Sequence, residues 1–173
     1  VTAVHDMKEV CVKDVRRVAE QLVGEIQQTP PMVSAIRVKG RRLYEIAREG
    51  GEVERPSRPV TVYRFEVAAT NDPVVYEISV DCSSGTYVRA LAADLGTALG
   101  GGAHLRDLRR VAVGSFTLEE AQPVNGLKLL PAAEGLRDLP GVVVDEATAA
   151  EVAHGKVLDL VLLAVSGNGP WPI

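Results

Sequence analysis

The stretch VVYEISVDCSSGTYVRALAADLGTALGGG, Val74 to Gly102, decides the fold. Val74, Tyr76, Ile78, Val80 and Cys82 alternate with Glu77, Ser79 and Asp81, the period-two pattern of a half-buried strand over Val74 to Cys82. A polar turn follows, Ser83 to Thr86. From about Thr86 to Leu99 the spacing becomes helical: Val88, Leu91, Ala92, Leu95 and Leu99 share one face, and Gly100-Gly101-Gly102 ends the helix. Arg89 falls in the first turn of that helix, where a cation opposes the helix dipole by about 0.3–1 kcal/mol. Two readings stay open from spacing alone. The side chain reaches solvent, or its guanidinium clamps a carboxylate through two parallel hydrogen bonds. Ala92, Ala93 and Gly96 beside it are small enough to let another backbone come close. Ser83, Ser84, Gly85 and Thr86 could cap the helix or hold a phosphate at its N-terminus.

Working outward, Pro59 to Val67 reads as a strand with Thr61, Tyr63, Phe65 and Val67 on its apolar face. The loop AATNDP joins it to the strand of the opening stretch, which predicts an antiparallel pair. Upstream, Val15, Val18, Ala19, Leu22 and Ile26 predict an amphipathic helix from Val12 to Ile26, stopped by QQTPP. Ser34 to Val38 is a short strand, Lys39-Gly40 a turn, and Leu43 to Arg48 a short helix closed by Gly50-Gly51. Downstream, Val111 to Phe116 reads as another strand, and Thr117 and Glu120 have capping-box spacing. Gln122 to Pro140 is linker-like, and Asp145 can cap a small helix ending at Gly155. Strands and helices in this order predict an α+β fold, a mixed and largely antiparallel sheet flanked by helices, rather than a doubly wound sheet. The expected domains are 1–121, a linker at 122–144 and a short C-terminal piece at 145–173.

The composition is that of an ordinary globular protein, 46% apolar and 24% charged. No apolar run approaches the length of a membrane-spanning helix. Cys11 and Cys82 are isolated, so a reducing, cytoplasmic setting is expected. His5, His104 and His154 have no ligand-like spacing, and no metal is expected. No P-loop or GxGxxG motif is present, and a monomer is the default expectation. The chain begins at Val1, and a fragment or processed chain is expected. A net charge of −4 argues at first against nucleic acid, but its distribution is uneven. Arg37, Lys39, Arg41, Arg42 and Arg48 face a single Glu45, and Arg106, Arg109 and Arg110 cluster around Asp107. Thr117 to Ile173 instead holds eight acidic and three basic residues. A basic middle is compatible with RNA on one face, but from charge alone solvated surface charge is the favoured reading.

Two blocks say more. QTPPMVSAIRVKGRRLYEIAREG, Gln28 to Gly50, and CSSGTYVRALAADLGTALGGGAHLRDLRRVAVGSFTLEEA, Cys82 to Ala121, resemble signature blocks of the bacterial tRNA pseudouridine synthase B (TruB-type) family. The resemblance spans about Val12 to Ala121 and rests on PP-x-x-SA, K-G-x-x-x-Y-x-x-AR-x-G, GTYVR and GAHL-x-x-LRR. It implies a partial pseudouridine synthase core and an isomerase that converts the T-loop uridine of tRNA, position 55, to pseudouridine without a cofactor. It implies that Arg89 partners a catalytic aspartate, that Tyr87 lies beside the pocket, and that Leu108 contacts the flipped base. Arg37, Lys39, Arg41, Arg42, Arg106, Arg109 and Arg110 would face the T-arm of tRNA.

The sequence departs from the family in one large respect: it contains no G-x-L-D-P block, the family's context for the nucleophilic aspartate. Asp81 and Asp94 have other neighbours, so the isolated chain is expected to be inactive, as part of a longer enzyme. Val33 stands where the family often has tyrosine, and Gly101 where cysteine is common. The tail from Val142 resembles the start of the family's C-terminal RNA-binding domain. The alternatives are a non-catalytic tRNA-binding or tRNA-folding module and an unrelated α+β scaffold with surface charge.

Overall fold

The computed structural model describes residues 5–7, 9–38, 40–159 and 163 of the chain. It divides into two units, Val1–Leu108 and Arg109–Ile173.

The first unit is α+β. Helix α1 (Val12–Gln21) buries Val15, Val18 and Ala19. At its start, the Asp14 carboxylate accepts the Cys11 backbone N–H at 3.1 Å. The helix stops short of Ile26, against the sequence expectation. Gly24 takes a φ of +108°, open to glycine, and Gly24–Gln28 becomes strand β1. Ile26 keeps its place against the core, but with strand periodicity; i and i+4 spacing from Leu22 could not separate the two. Strand β1 pairs antiparallel with β4 (Arg58–Ala69), from Gly24 opposite Val62 to Gln28 opposite Arg58. On its other side β4 pairs antiparallel with β5 (Tyr76–Cys82), the expected pair, giving the order β1-β4-β5.

The expected apolar face of β4 is corrected by a bulge. The register shifts between Val62 and Arg64. Val60 and Val62 are buried before the shift, Phe65 and Val67 after it, and Tyr63 is turned outward with 64% of its surface exposed. An extra residue in one strand flips the alternation of everything beyond it. Helix α3 (Val88–Ala98) closes the core with Leu91 and Leu95, packed with Val15, Val18, Val62 and Phe65. Gly96 is where another backbone approaches: a Cβ there would collide with Gly102 and Ala103.

Between β1 and β4, the expected strand at Ser34 to Val38 shrinks to β2 (Arg37–Val38), which pairs with β3 (Arg41–Arg42) in a hairpin turned at Gly40, φ +83°. Helix α2 (Leu43–Arg48) follows directly. The preceding loop supplies the acceptors for its first N–H groups, Ile36 for Leu43 and Ser34 for Tyr44, at 2.9 and 3.1 Å. Leu43 is fully buried.

The second unit begins with a hairpin, not the single strand expected at Val111 to Phe116. Strands β6 (Ala112–Val113) and β7 (Phe116–Thr117) turn at Gly114, φ +56°. A 3₁₀ turn at Leu118–Glu120 follows, and the Glu120 carboxylate accepts the Thr117 N–H at 2.9 Å, as the capping-box spacing predicts. Arg137 fastens the hairpin: its guanidinium lies 3.7 Å over the Phe116 ring, bonds both Glu120 oxygens, and donates to the Ser115 carbonyl at 2.8 Å. The Asp138 carboxylate receives the Ser115 N–H. Helix α4 (Glu146–Ala153) is capped by Asp145, which accepts from the Thr148 N–H at 2.8 Å. Most of the tail beyond 159 lies outside the described residues. Among the described residues no helix is long and apolar enough to cross a membrane.

Candidate active site

The site is assembled on the turn between β5 and α3. Gly85 takes a φ of +84°, which turns the chain tightly after the strand. The Ser83 and Thr86 hydroxyls are spent on β4 and on the turn itself. Ser83 Oγ accepts the Thr61 N–H at 2.9 Å, and Thr86 Oγ1 donates to the Ser83 carbonyl at 2.8 Å. They do not cap the helix. The residue at the N-cap is Tyr87, and no side-chain capping bond is made there.

Arg89 is therefore the second residue of α3, exposed, with its chain directed across to the loop after β1. Its Nη2 donates to the Val33 carbonyl at 2.8 Å. The side chain is exposed, as the solvent reading expects, and its hydrogen-bond partner is a backbone carbonyl. Among the described residues no ion pair joins Arg89 to a carboxylate. Arg89 borders a cleft of about 550 Å³ with Val33, Ser34, Ala35, Tyr44, Ala47 and Arg48. Among the described residues, two guanidiniums and no acidic residue line this cleft, so a carboxylate or a phosphate is the group it favours electrostatically. Arg48 also lies 5.5 Å from the centre of the Tyr44 ring, and Arg42, at 5.8 Å, donates to the Tyr44 hydroxyl. Ser34 Oγ is buried there and has no hydrogen-bond partner among the described residues.

The chain's own acids near this region are otherwise engaged or apart. Asp81 accepts from Arg64 Nε at 2.9 Å, and that bond holds its carboxyl below the ordinary carboxylate range. Asp94 lies on α3 but does not line the cleft, and burial raises its carboxyl above the ordinary value.

The structure brings some of the expected residues together. Arg37, Arg41 and Arg42 lie on the β2–β3 hairpin that leads into α2 and its Arg48. Arg41 is held by Glu49 at 2.6 Å. Lys39 lies outside the described residues. Tyr87 is half-buried beside Arg89. Leu108 is 66% exposed and does not line the cleft, and Arg106 pairs with Asp107 at 3.1 Å. Arg109 and Arg110 are exposed residues of the second unit.

Sequence reasoning missed Gln28. It is 2% exposed at the end of β1, and its amide brackets the backbone of Tyr87: Oε1 accepts the Tyr87 N–H at 2.7 Å and Nε2 donates to the Tyr87 carbonyl at 3.2 Å. Once β1 is read with period two, Gln28 falls on the same side as Ile26, and a glutamine on the buried side is the available signal. Within QQTPP, read as a helix stop, that signal is hidden.

Comparison with known proteins accords with this geometry. Residues 1–88 match the model of the TruB family pseudouridylate synthase N-terminal domain. Residues 89–138 match that of the tRNA pseudouridylate synthase B C-terminal domain. The chain is 47% identical to the tRNA pseudouridine synthase B of Corynebacterium aurimucosum, over 80% of this chain and 50% of that protein. It is 39% identical to that of Mycobacterium tuberculosis, over 88% of this chain and 61% of the relative. It thus spans about half the length of these curated relatives. A chain in the crystal structure of a Cbf5-Nop10-Gar1 complex superposes with a TM-score of 0.63 at 26% identity, covering 85% of this chain and 45% of that one. Half of the chain matches the N-terminal family model, the next stretch matches the C-terminal one, and close relatives carry the same name throughout; the chain belongs to the TruB family of pseudouridine synthases.

Proposed function

We propose that this chain supplies the arginine side of the active site of a cytoplasmic tRNA pseudouridine synthase, which isomerises the T-loop uridine. The observation that supports this reading is the Arg89 cleft: a guanidinium fixed by Val33, a second cation in Arg48, and, among the described residues, no acidic lining residue. A catalytic aspartate entering this cleft would be kept ionised and aimed by Arg89, because a nearby opposite charge lowers a carboxyl pKa. The flipped uridine loses its stacking, at a cost of a few kcal/mol, before reaction. The aspartate attacks or deprotonates the nucleoside, the glycosidic bond breaks, the uracil turns, and it rejoins through carbon 5. Tyr87 borders the pocket and Leu108 contacts the base. Arg37, Lys39, Arg41, Arg42, Arg106, Arg109 and Arg110 face the T-arm, and the protein acts as a monomer without metal or cofactor.

The 173 residues contain no G-x-L-D-P block, so the isolated chain is expected to form no pseudouridine. The test joins the chain to the half of the Corynebacterium aurimucosum relative that it does not match. Mass-spectrometric detection of pseudouridine in a T-arm RNA is the readout. Turnover by the joined protein and none by the chain supports the proposal. Turnover by the isolated chain, or none by a joined protein that is folded and binds the RNA, overturns it. The second of those results favours a non-catalytic tRNA-binding module.

A further inference from the structure

We infer that Gln28 is a positioning residue for the site, setting the backbone from which Tyr87 and Arg89 project; this rests on the function proposed above. The first N–H groups of a helix have no partner within the helix. At α3 the usual solution, a Ser, Thr, Asp or Asn side chain at the N-cap, is missing, because Tyr87 occupies that place. Gln28 reaches the N-cap residue itself from a different element. Its amide takes both the N–H and the carbonyl of Tyr87, at 2.7 and 3.2 Å. The N–H of Tyr87 can only donate, so the amide orientation is fixed by its partner.

The side chain is buried, which makes the pairing obligatory: removing it strands a polar N–H away from water. The same short segment is fastened again at Val33, whose carbonyl accepts from Arg89. The stretch from Gln28 to Val33 is thus tied to the first turn of α3 at both ends. One tie holds the Tyr87 backbone and the other holds the Arg89 guanidinium. A guanidinium that must meet a carboxylate with two-pronged geometry depends on where its backbone starts.

The test has two arms. In the 173-residue chain, Gln28→Met keeps the shape of the side chain and removes both bonds, whereas Gln28→Glu keeps the acceptor for the Tyr87 N–H. Amide exchange at Tyr87 and the Arg89 side-chain NMR signal are read against the core amides of Leu91 and Val62. Gln28→Met should speed Tyr87 exchange at least about tenfold and shift the Arg89 signal while the core stays protected, with Gln28→Glu between it and the wild type. In the joined protein, Gln28→Met should lower kcat on T-arm RNA at least about tenfold with little change in KM, and Gln28→Glu less. Unchanged Tyr87 exchange, core amides that lose protection as much as Tyr87 in both variants, or unchanged kcat overturns the inference. If the wild-type joined protein is folded and binds the RNA but is inactive, the proposed function falls, and the exchange and NMR arm alone decides the role of Gln28.

Discussion

Replacing Arg89 with alanine should separate chemistry from folding. On the folding side two effects oppose each other. The variant loses the 2.8 Å bond from Nη2 to the Val33 carbonyl. A hydrogen bond from a charged donor contributes about 1.5–3 kcal/mol when shielded. Arg89 is exposed, so about 1 kcal/mol is the larger figure to expect. Removing a cation from the first turn of α3 returns about 0.3–1 kcal/mol. The net change is within about 1 kcal/mol, a shift of a few degrees in Tm for a unit of this size. On the chemical side, once bound RNA shields the cleft from water, a catalytic carboxylate left unpaired there costs about 3–5 kcal/mol, or roughly two to three and a half orders of magnitude in rate. Arg89→Lys keeps the charge without the planar fork and should fall between. Single-turnover kinetics of the joined protein, with tRNA binding and thermal melts alongside, read the two sides separately. The reasoning is refuted if Arg89→Ala keeps full activity, or if its loss follows only from unfolding.

Three further outcomes are expected. Gly96→Ala gains about 1 kcal/mol of helix propensity, but its Cβ meets the backbone of Gly102 and Ala103, which no rotamer can relieve. Overpacking of about 1–3 kcal/mol should win, and a melt at or above wild type would contradict the close approach. Neutralising Arg41 and Arg42 should weaken tRNA binding and flatten its salt dependence through lost phosphate contacts; an unchanged salt slope returns both to solvated surface charge. In the second unit, Arg137 and the Thr117 N–H hold the Glu120 carboxyl down at about 2 from an ordinary 4.5. A carboxyl depressed in the folded state stabilises it above its ordinary value and loses that contribution as pH falls through the folded value. The Phe116 region should therefore loosen between about pH 4.5 and 2, followed by NMR, and Arg137→Ala should flatten the response; equal acid profiles would refute the linkage.

The sequence by itself determined the elements whose periodicity is local and long. The β5 alternation, the helix ending at Gly100-Gly101-Gly102, the short helix at Leu43–Arg48 and the Asp145 cap all depend on neighbours a few residues away. It also singled out Arg89, because a cation in a first helical turn is conspicuous without any coordinates. Tertiary structure decided what local patterns leave ambiguous. Ile26 fits a helix by spacing, and only pairing with β4 makes it a strand residue. Tyr63 fits the buried face by alternation, and only the bulge beside Arg64 turns it out. The cleft was invisible for the same reason. Its walls come from the loop after β1, from α2 and from α3, and the bonds that shape it join Arg89 to Val33 and Tyr87 to Gln28. Such contacts join residues far apart in the chain, and neither partner's local sequence specifies the other; the burial and pairing that produce them exist only once β1 and α3 are brought together by a shared core.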